Sequence, residues 1–133
     1  MRIMIDTNVF ISAFILSSHH LIKMIDAIAE RHTIVLSTYV IDELKKVTKK
    51  KFPNKINLLD SFLQELPFEL VYTPDKIDKT KFPDIRDLKD LPILVTAILE
   101  NVDVLISGDT DFTSIEINHP EILTPKMFVD KYC

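Results

Sequence analysis

Residues 104–112 read VLISGDTDF: an apolar run, then the only glycine in the chain, then two aspartates. A short run that is apolar at successive positions predicts a strand buried on both faces of a parallel sheet. The N-terminal residues repeat the pattern, since residues 3–5 are apolar and Asp6 follows directly. Two buried strands that each lead into a carboxylate indicate a sheet with acidic groups along one edge.

Strand and helix patterns alternate along the whole chain. Strands are predicted at residues 3–5, 33–36, 68–72, 104–106 and 121–123. Helices are predicted at residues 21–31, 39–51, 54–66 and 90–101, with a last one from Pro125. This alternation favours an α/β fold, a parallel sheet of about five strands with helices on both faces. Because the sequence has neither a repeat nor a linker, residues 1–133 are expected to form a single domain.

Composition bounds the class of protein. Hydrophobic residues make up 47% and charged residues 27%, which is enough for a packed core. The net charge of −4 does not indicate a nucleic-acid-binding polycation, although KKVTKKK (residues 45–51) is locally basic. The one cysteine, Cys133, has no partner for an internal disulfide, which favours the cytoplasm. No apolar stretch reaches the roughly 18 residues of a membrane span, so no membrane association is expected.

The acidic residues that follow strands or begin helices are the candidates for chemistry. Ligands of a parallel sheet bind beyond the carboxyl ends of its strands. Asp6, Glu43, Asp90 and Asp109, with Asp111 nearby, occupy such places. Each could instead be a helix cap or a turn residue. Together they would repel one another unless a cation neutralised them, and oxygen ligands suit Mg²⁺ or Mn²⁺.

Helical geometry separates Glu43 from its neighbour Asp42. At about 100° per residue, one face of the helix carries an apolar stripe, formed by Val40, Leu44 and Val47. Glu43 lies at the border of this stripe and could face a cleft, whereas Asp42 points nearly the opposite way. Lys46 and Lys50 continue along the side of Glu43. They are interpreted either as contacts for RNA phosphates or as part of a solvated helix face.

The irregular segment of residues 73–89 leads into two of the candidate acids. Its side chains Lys76, Lys79, Lys81 and Arg86 lead into Asp87 and Asp90. It is interpreted as a substrate-contacting loop, with a solvated connector as the alternative.

Gly108 needs an explanation of its own. The absence of a Cβ would let backbone, metal and substrate phosphate approach closely, or would permit a positive φ that turns Asp109 inward.

The segment DLPILVTAILEN, residues 90–101, is apolar almost all round. Only Thr96 and Glu100 form a polar strip. Such a helix is usually covered on more than one side, so it is either buried within the domain or part of a homodimer interface.

Four motifs together resemble the PIN domain family: MIDTNV (4–9), STYVIDEL (37–44), DLKDLPIL (87–94) and ISGDTDF (106–112). The similarity extends from Arg2 to about Phe128 and is greatest to the toxin-like branch found in bacterial and archaeal toxin–antitoxin pairs. It implies a three-layer α/β/α fold. It also implies cleavage of single-stranded RNA that depends on one or two Mg²⁺ or Mn²⁺ ions, a cognate antitoxin partner and, often, a homodimer.

The resemblance also implies roles for individual residues. The metal-binding and catalytic acids would be Asp6, Glu43, Asp90 and Asp109, with Asp111 an additional metal ligand. The supporting polar residues would be Asn8, Ser107 and Asp87. Ser107 stands where the family often has threonine and could orient a water or a neighbouring carboxylate. Whether Asp87 or Asp90 faces the metal stays open.

Two other functions are compatible with parts of the sequence. DTDFT (109–113) matches the pattern of haloacid-dehalogenase-like phosphatases, but too few residues remain after Thr113 for the downstream motifs of that family. The second alternative is a non-catalytic module that uses the same fold to bind RNA or protein. The presence of every expected acid favours the nuclease.

Overall fold

Five strands form one parallel sheet: β1 (Arg2–Ile5), β2 (Thr33–Ser37), β3 (Glu69–Val71), β4 (Val104–Ile106) and β5 (Glu121–Leu123). Their spatial order is β3-β2-β1-β4-β5. The computed structural model describes the backbone of all 133 residues and every side chain except that of Thr110. From β1 the chain adds β2 and β3 on one side of the sheet, and it then returns to add β4 and β5 on the other side of β1. The topological switch point therefore lies between β1 and β4.

Helices connect the strands and cover the sheet. They are α1 (Thr7–Phe10), which continues as a π-helical turn (Ile11–Ile15), then α2 (His19–Arg31), α3 (Thr38–Lys51), α4 (Ile56–Glu65), α5 (Leu91–Leu99), α6 (Thr110–Thr113) and α7 (Pro125–Tyr132). Two 3₁₀ turns, Pro53–Lys55 and Lys79–Lys81, complete the regular structure. The predicted three-layer α/β/α fold is therefore confirmed.

Two predicted helices are shorter in the structure. The predicted helix 54–66 starts as a 3₁₀ turn at Pro53, and its α-helical part begins at Ile56. The predicted helix 90–101 ends at Leu99, because Asn101 takes a left-handed φ of 53° that stops helical hydrogen bonding.

The central strands lie wholly within the core. Apart from Arg2, every residue of β1 and β4 is buried, which explains why both strands read as continuous apolar runs. The two strands pair in parallel, with Ile5 opposite Ile106. This register places the residues that follow each strand, Asp6 and Ser107, beside each other.

The apolar helix α5 is buried within the domain over most of its length. Thr96, one of the two polar residues of this helix, is 0% exposed. Its hydroxyl lies 2.7 Å from the carbonyl oxygen of Pro92 and 3.0 Å from Oγ1 of Thr73. These hydrogen bonds offset the cost of burying a polar group, so the threonine is accommodated within the core.

Among the described residues, no single helix is both long and apolar enough to cross a membrane. Thr7–Ile15 and His19–Arg31 meet the requirement only as a pair bent by 117°.

The importance of the central strands can be measured at Leu105, which is 0% exposed in β4. Leu105→Ala should lower the free energy of unfolding by about 2–5 kcal/mol, because it removes buried methyl groups and leaves a cavity. Chemical denaturation measures this change. Leu58→Ala in α4, where the side chain is 47% exposed, is the matched control and should cost about 0.5 kcal/mol or less. Equal losses in the two variants would contradict the assignment of the core.

Candidate functional site

Asp6 and Ser107 meet where β1 and β4 end. The backbone N–H of Asp6 donates to the carbonyl of Ile106 at 2.9 Å, which continues the pairing of the strands by one residue. The Ser107 hydroxyl then donates to Oδ2 of Asp6 at 2.9 Å and accepts the N–H of Asp109 at 3.0 Å. Asp6 is only 2% exposed and Ser107 is fully buried. The contact of Ser107 is therefore with a neighbouring carboxylate, one of the two roles that the sequence suggested.

Glu43 approaches this edge from α3. Ser37 caps the helix by accepting the N–H of Val40 at 3.1 Å, which fixes where the helix begins. Glu43 is half-buried and its Oε1 accepts the hydroxyl of Thr7 at 2.7 Å, whereas Asp42 is exposed. The helical geometry read from the sequence therefore separated the two acids correctly.

Asp90 and Asp87 occupy different environments. Asp87 is exposed, and its Oδ1 accepts the N–H of Lys89 at 3.0 Å, which makes a local turn. Asp90 is half-buried at the N-cap of α5, but its side chain does not cap the helix. Oδ2 of Asp90 is buried and has no hydrogen-bond partner among the described residues. Of the two acids, Asp90 is the one brought among the others.

Asp90, Asp109 and Asp111 form a close group. One carboxylate oxygen of each lies within 4.8 Å of the other two, a spacing that could hold a metal ion. Asp109 also accepts the N–H of Asp111 at 2.8 Å through Oδ1, so it caps the turn that starts α6. The structural role that the sequence allowed for Asp109 is thus real, and it uses one of the two carboxylate oxygens.

The predicted RNA-binding residues and Asn8 lie at the protein surface. Lys46, Lys50 and Asn8 are exposed. The side chain of Arg86 is 88% exposed, and its Nη1 lies 3.9 Å from Oδ1 of Asp111. The contact of Arg86 in the structure is therefore with a carboxylate of the chain itself.

The structure corrects part of the explanation that was predicted for Gly108. Its φ is not positive, so the proposal of a left-handed turn is wrong. A Cβ built at this position would meet no heavy atom within 4 Å. Neither the backbone conformation nor packing inside the protein requires glycine here.

Comparison with known families identifies the chain. The family model described as "PIN domain" matches residues 2–111 of the chain. The chain belongs to the PIN domain family. A solved structure with a similar fold is that of VapBC2 from Rickettsia felis bound to a DNA fragment from their promoter. It has 24% sequence identity and a TM-score of 0.70, and the match covers 92% of this chain and 97% of that one. The comparison with curated proteins found no match.

PIN domains are generally nucleases that use divalent metal ions, and the acidic edge of this one fits such an ion. The close group offers carboxylate oxygens, the ligands that hard divalent cations prefer. The buried Oδ2 of Asp90 has an unmet need for a partner, which a cation would satisfy. The donor set is therefore chemically suitable for Mg²⁺ or Mn²⁺.

Burial raises the pKa of two acids of the PIN site. The pKa of Asp6 rises from 3.8 to about 6, mainly by desolvation, with the charges of Glu43 and Asp109 adding to the effect. Hydrogen bonds from Ser107 and the N–H of Thr7 oppose this rise. The pKa of Asp90 rises to about 7, first by desolvation, then by its contact with the Asp109 carboxyl and by neighbouring negative charges. Protons or a cation are thus favoured at this edge.

Two contributors to the PIN site were missed in the sequence. Thr7 directly follows Asp6, and its hydroxyl donates to Glu43. A hydroxyl residue next to a candidate acid was the signal in the sequence that could have identified it. Tyr39 lies one helical turn before Glu43, and its hydroxyl donates to the carbonyl of Lys89 at 2.8 Å. Because Lys89 precedes Asp90, Tyr39 ties α3 to the segment that carries this acid.

Stability of the metal-free PIN domain should depend on the pKa of Asp6. The folded protein keeps a proton on Asp6 up to about pH 6, whereas the unfolded chain loses it near 3.8. The free energy of unfolding should therefore fall as pH rises between these values, by up to about 3 kcal/mol from Asp6 alone. Chemical denaturation in EDTA at several pH values measures it.

Asp6→Asn is the control for this pH dependence, since the amide is isosteric and does not titrate. As pH rises from about 4 to about 6, the free energy of unfolding of the wild type should fall relative to that of Asp6→Asn. A difference that does not change with pH would contradict the prediction.

The role of Tyr39 can be tested by its removal. Tyr39→Phe keeps the ring but loses the hydrogen bond to Lys89, so it should lower stability by about 0.5–1.5 kcal/mol. It should also accelerate trypsin cleavage at the lysines of residues 76–89. Tyr72→Phe is the matched control, because the Tyr72 side chain is 74% exposed. Equal cleavage rates in the two variants would show that the tether does not hold the loop.

Proposed function

We propose that this PIN domain is a Mg²⁺- or Mn²⁺-dependent endoribonuclease that hydrolyses phosphodiester bonds of single-stranded RNA. The observation that carries the proposal is the meeting of acids from separate segments at one sheet edge, where a buried oxygen of Asp90 has no protein partner among the described residues. Such an arrangement is unfavourable for a protein alone and suits a cation. Family membership supports the reaction class.

In this proposal Asp6, Glu43, Asp90 and Asp109 hold one or two ions, and Asp111 is an additional ligand. Ser107 keeps the Asp6 carboxylate in place, and Thr7 does the same for Glu43. When bound, a divalent ion would lower the pKa of a water for attack on the phosphodiester and neutralise charge on the leaving oxygen. The chain itself need supply no nucleophile. The products would carry a 5′-phosphate and a 3′-hydroxyl.

Basic side chains beside the acids would hold the RNA backbone. Lys46 and Lys50 are exposed on the helix that carries Glu43, where they can reach phosphates. The ion pair of Arg86 with Asp111 is long, and the guanidinium is largely exposed, so it contributes little and can be exchanged for a phosphate. Asp87, exposed in the same loop, would support the turn before Asp90 rather than bind metal.

We further propose that the protein is the toxin of a type II toxin–antitoxin pair and acts in the cytoplasm. The similarity of its fold to VapBC2, a toxin–antitoxin complex, supports an antitoxin partner. A homodimer is part of the proposal. Most of α5 is covered within the domain, but Leu99 at its end remains exposed and available to a second copy.

Purified protein tests the nuclease directly. Wild type should degrade single-stranded RNA with Mg²⁺ or Mn²⁺ and stop with EDTA. Asp6→Asn, Asp90→Asn and Glu43→Gln should each lower the cleavage rate at least about 100-fold, because each removes a charged ligand. Asp42→Asn is the matched control for Glu43→Gln, since Asp42 is the adjacent acid and is exposed.

Two results would contradict the metal-nuclease proposal. One is cleavage by Asp6→Asn at the wild-type rate, which would point to a contaminating ribonuclease. The other is RNA binding without cleavage under every metal condition, which would favour the alternative of a non-catalytic RNA- or protein-binding module.

A further inference from the structure

A cavity of about 350 Å³ adjoins the acidic edge. Asp109 forms part of its wall, so the cavity and the acidic group share a residue. Gly108 and the exposed amide of Asn8 also line it. Asp90 and Asp111 do not line it, so the cavity extends beyond the metal-ligand group.

The one glycine of the chain has an explanation in this cavity. Gly108 has an ordinary φ, and a Cβ there would enter open space rather than meet protein atoms. Fold and packing would thus tolerate a side chain at this position. Because Gly108 lines the cavity, a large side chain would occupy the space that a ligand could use. The glycine therefore keeps the cavity open.

The chemistry of the lining favours a neutral, flat group with polar edges. Val9, Leu21 and Pro125 provide an apolar surface, and the Asn8 amide offers both a donor and an acceptor. Ser12 adds a hydroxyl. Among the described lining residues there is no lysine or arginine, and Asp109 adds negative charge, so a phosphate is disfavoured.

A nucleoside matches these properties. Its base has apolar faces and hydrogen-bonding edges, the features by which proteins read unpaired RNA bases. The volume lies near the lower end of the range for ligand pockets, about 300–1,000 Å³, which suits one nucleoside and excludes a duplex.

We propose that this cavity is the subsite for one nucleoside of an RNA strand whose adjoining phosphate lies at the acidic edge. The inference rests on the proposed ribonuclease function for the identity of the strand. The base lies against Val9, Leu21 and Pro125, and the Asn8 amide contacts its edge. Gly108 leaves the entrance unobstructed.

The single glycine allows a test that does not need activity. Protein labelled only with ¹⁵N-glycine gives one amide signal, that of Gly108. Adding uridine, cytidine, adenosine or guanosine should shift this signal in a concentration-dependent way for at least one nucleoside, and inorganic phosphate should not. Asn8→Leu should weaken the response. Asn57→Leu, which changes an exposed asparagine in α4, is the matched control and should leave the response unchanged.

If none of the four nucleosides shifts the Gly108 signal, the proposal is overturned. An equal response to inorganic phosphate would also overturn it, because it would show a phosphate site instead. Neither outcome depends on RNA cleavage, so the subsite and the nuclease proposal can fail separately.

Kinetics on single-stranded RNA provide the second measurement. Gly108→Leu should raise KM about tenfold or more with a smaller change in kcat, because the lost contact is one made in ground state and transition state alike. Gly108→Ala, with one added methyl group, should have a smaller effect. Mn²⁺ binding, measured by electron paramagnetic resonance, and the melting temperature should stay close to wild type. A wild-type KM in Gly108→Leu would contradict the subsite.

Discussion

The buried hydrogen bond between Ser107 and Asp6 is the contact on which the acidic edge depends. It exists because β1 and β4 pair in parallel with Ile5 opposite Ile106, which brings the next residues of both strands together. The same serine oxygen accepts the N–H of Asp109. One hydroxyl therefore links the first acid of the chain to an acid more than 100 residues later, and both positions follow from the register of the sheet.

The acidic edge is electrostatically unfavourable without a ligand. Desolvation and like charges raise the pKa of Asp6 and Asp90, while the hydrogen bonds that stabilise Asp6 come from neutral groups. The nearby guanidinium of Arg86 is largely exposed and offsets little of this repulsion. The group is carried by the buried apolar strands β1 and β4. Such a group is suited to a cation, whose charge would relieve the repulsion.

Helix α3 organises the opposite side of the edge. Besides carrying Glu43, its first turn holds both ends of the irregular loop. Oγ1 of Thr38 accepts the N–H of Thr73 at 3.1 Å, and Tyr39 donates to the carbonyl of Lys89 at 2.8 Å. These two contacts fix the ends of the loop, and the second one positions the residue directly before Asp90. The cavity next to Gly108 lies on the β4 side, so the sheet edge joins a metal-suited group to a space suited to a base.

The sequence by itself determined the fold class, because fully buried strands must be apolar at every position and amphipathic helices must repeat every 3.6 residues. It also distinguished Glu43 from Asp42, since that choice depends only on local helical geometry. Only the tertiary structure places Asp90, and not Asp87, beside the other acids, buries Thr96 and gives Gly108 a φ that is not positive. The burial of Thr96 and the placement of Asp90 depend on partners far along the chain, Thr73 and Asp109 respectively, and no local pattern encodes such contacts.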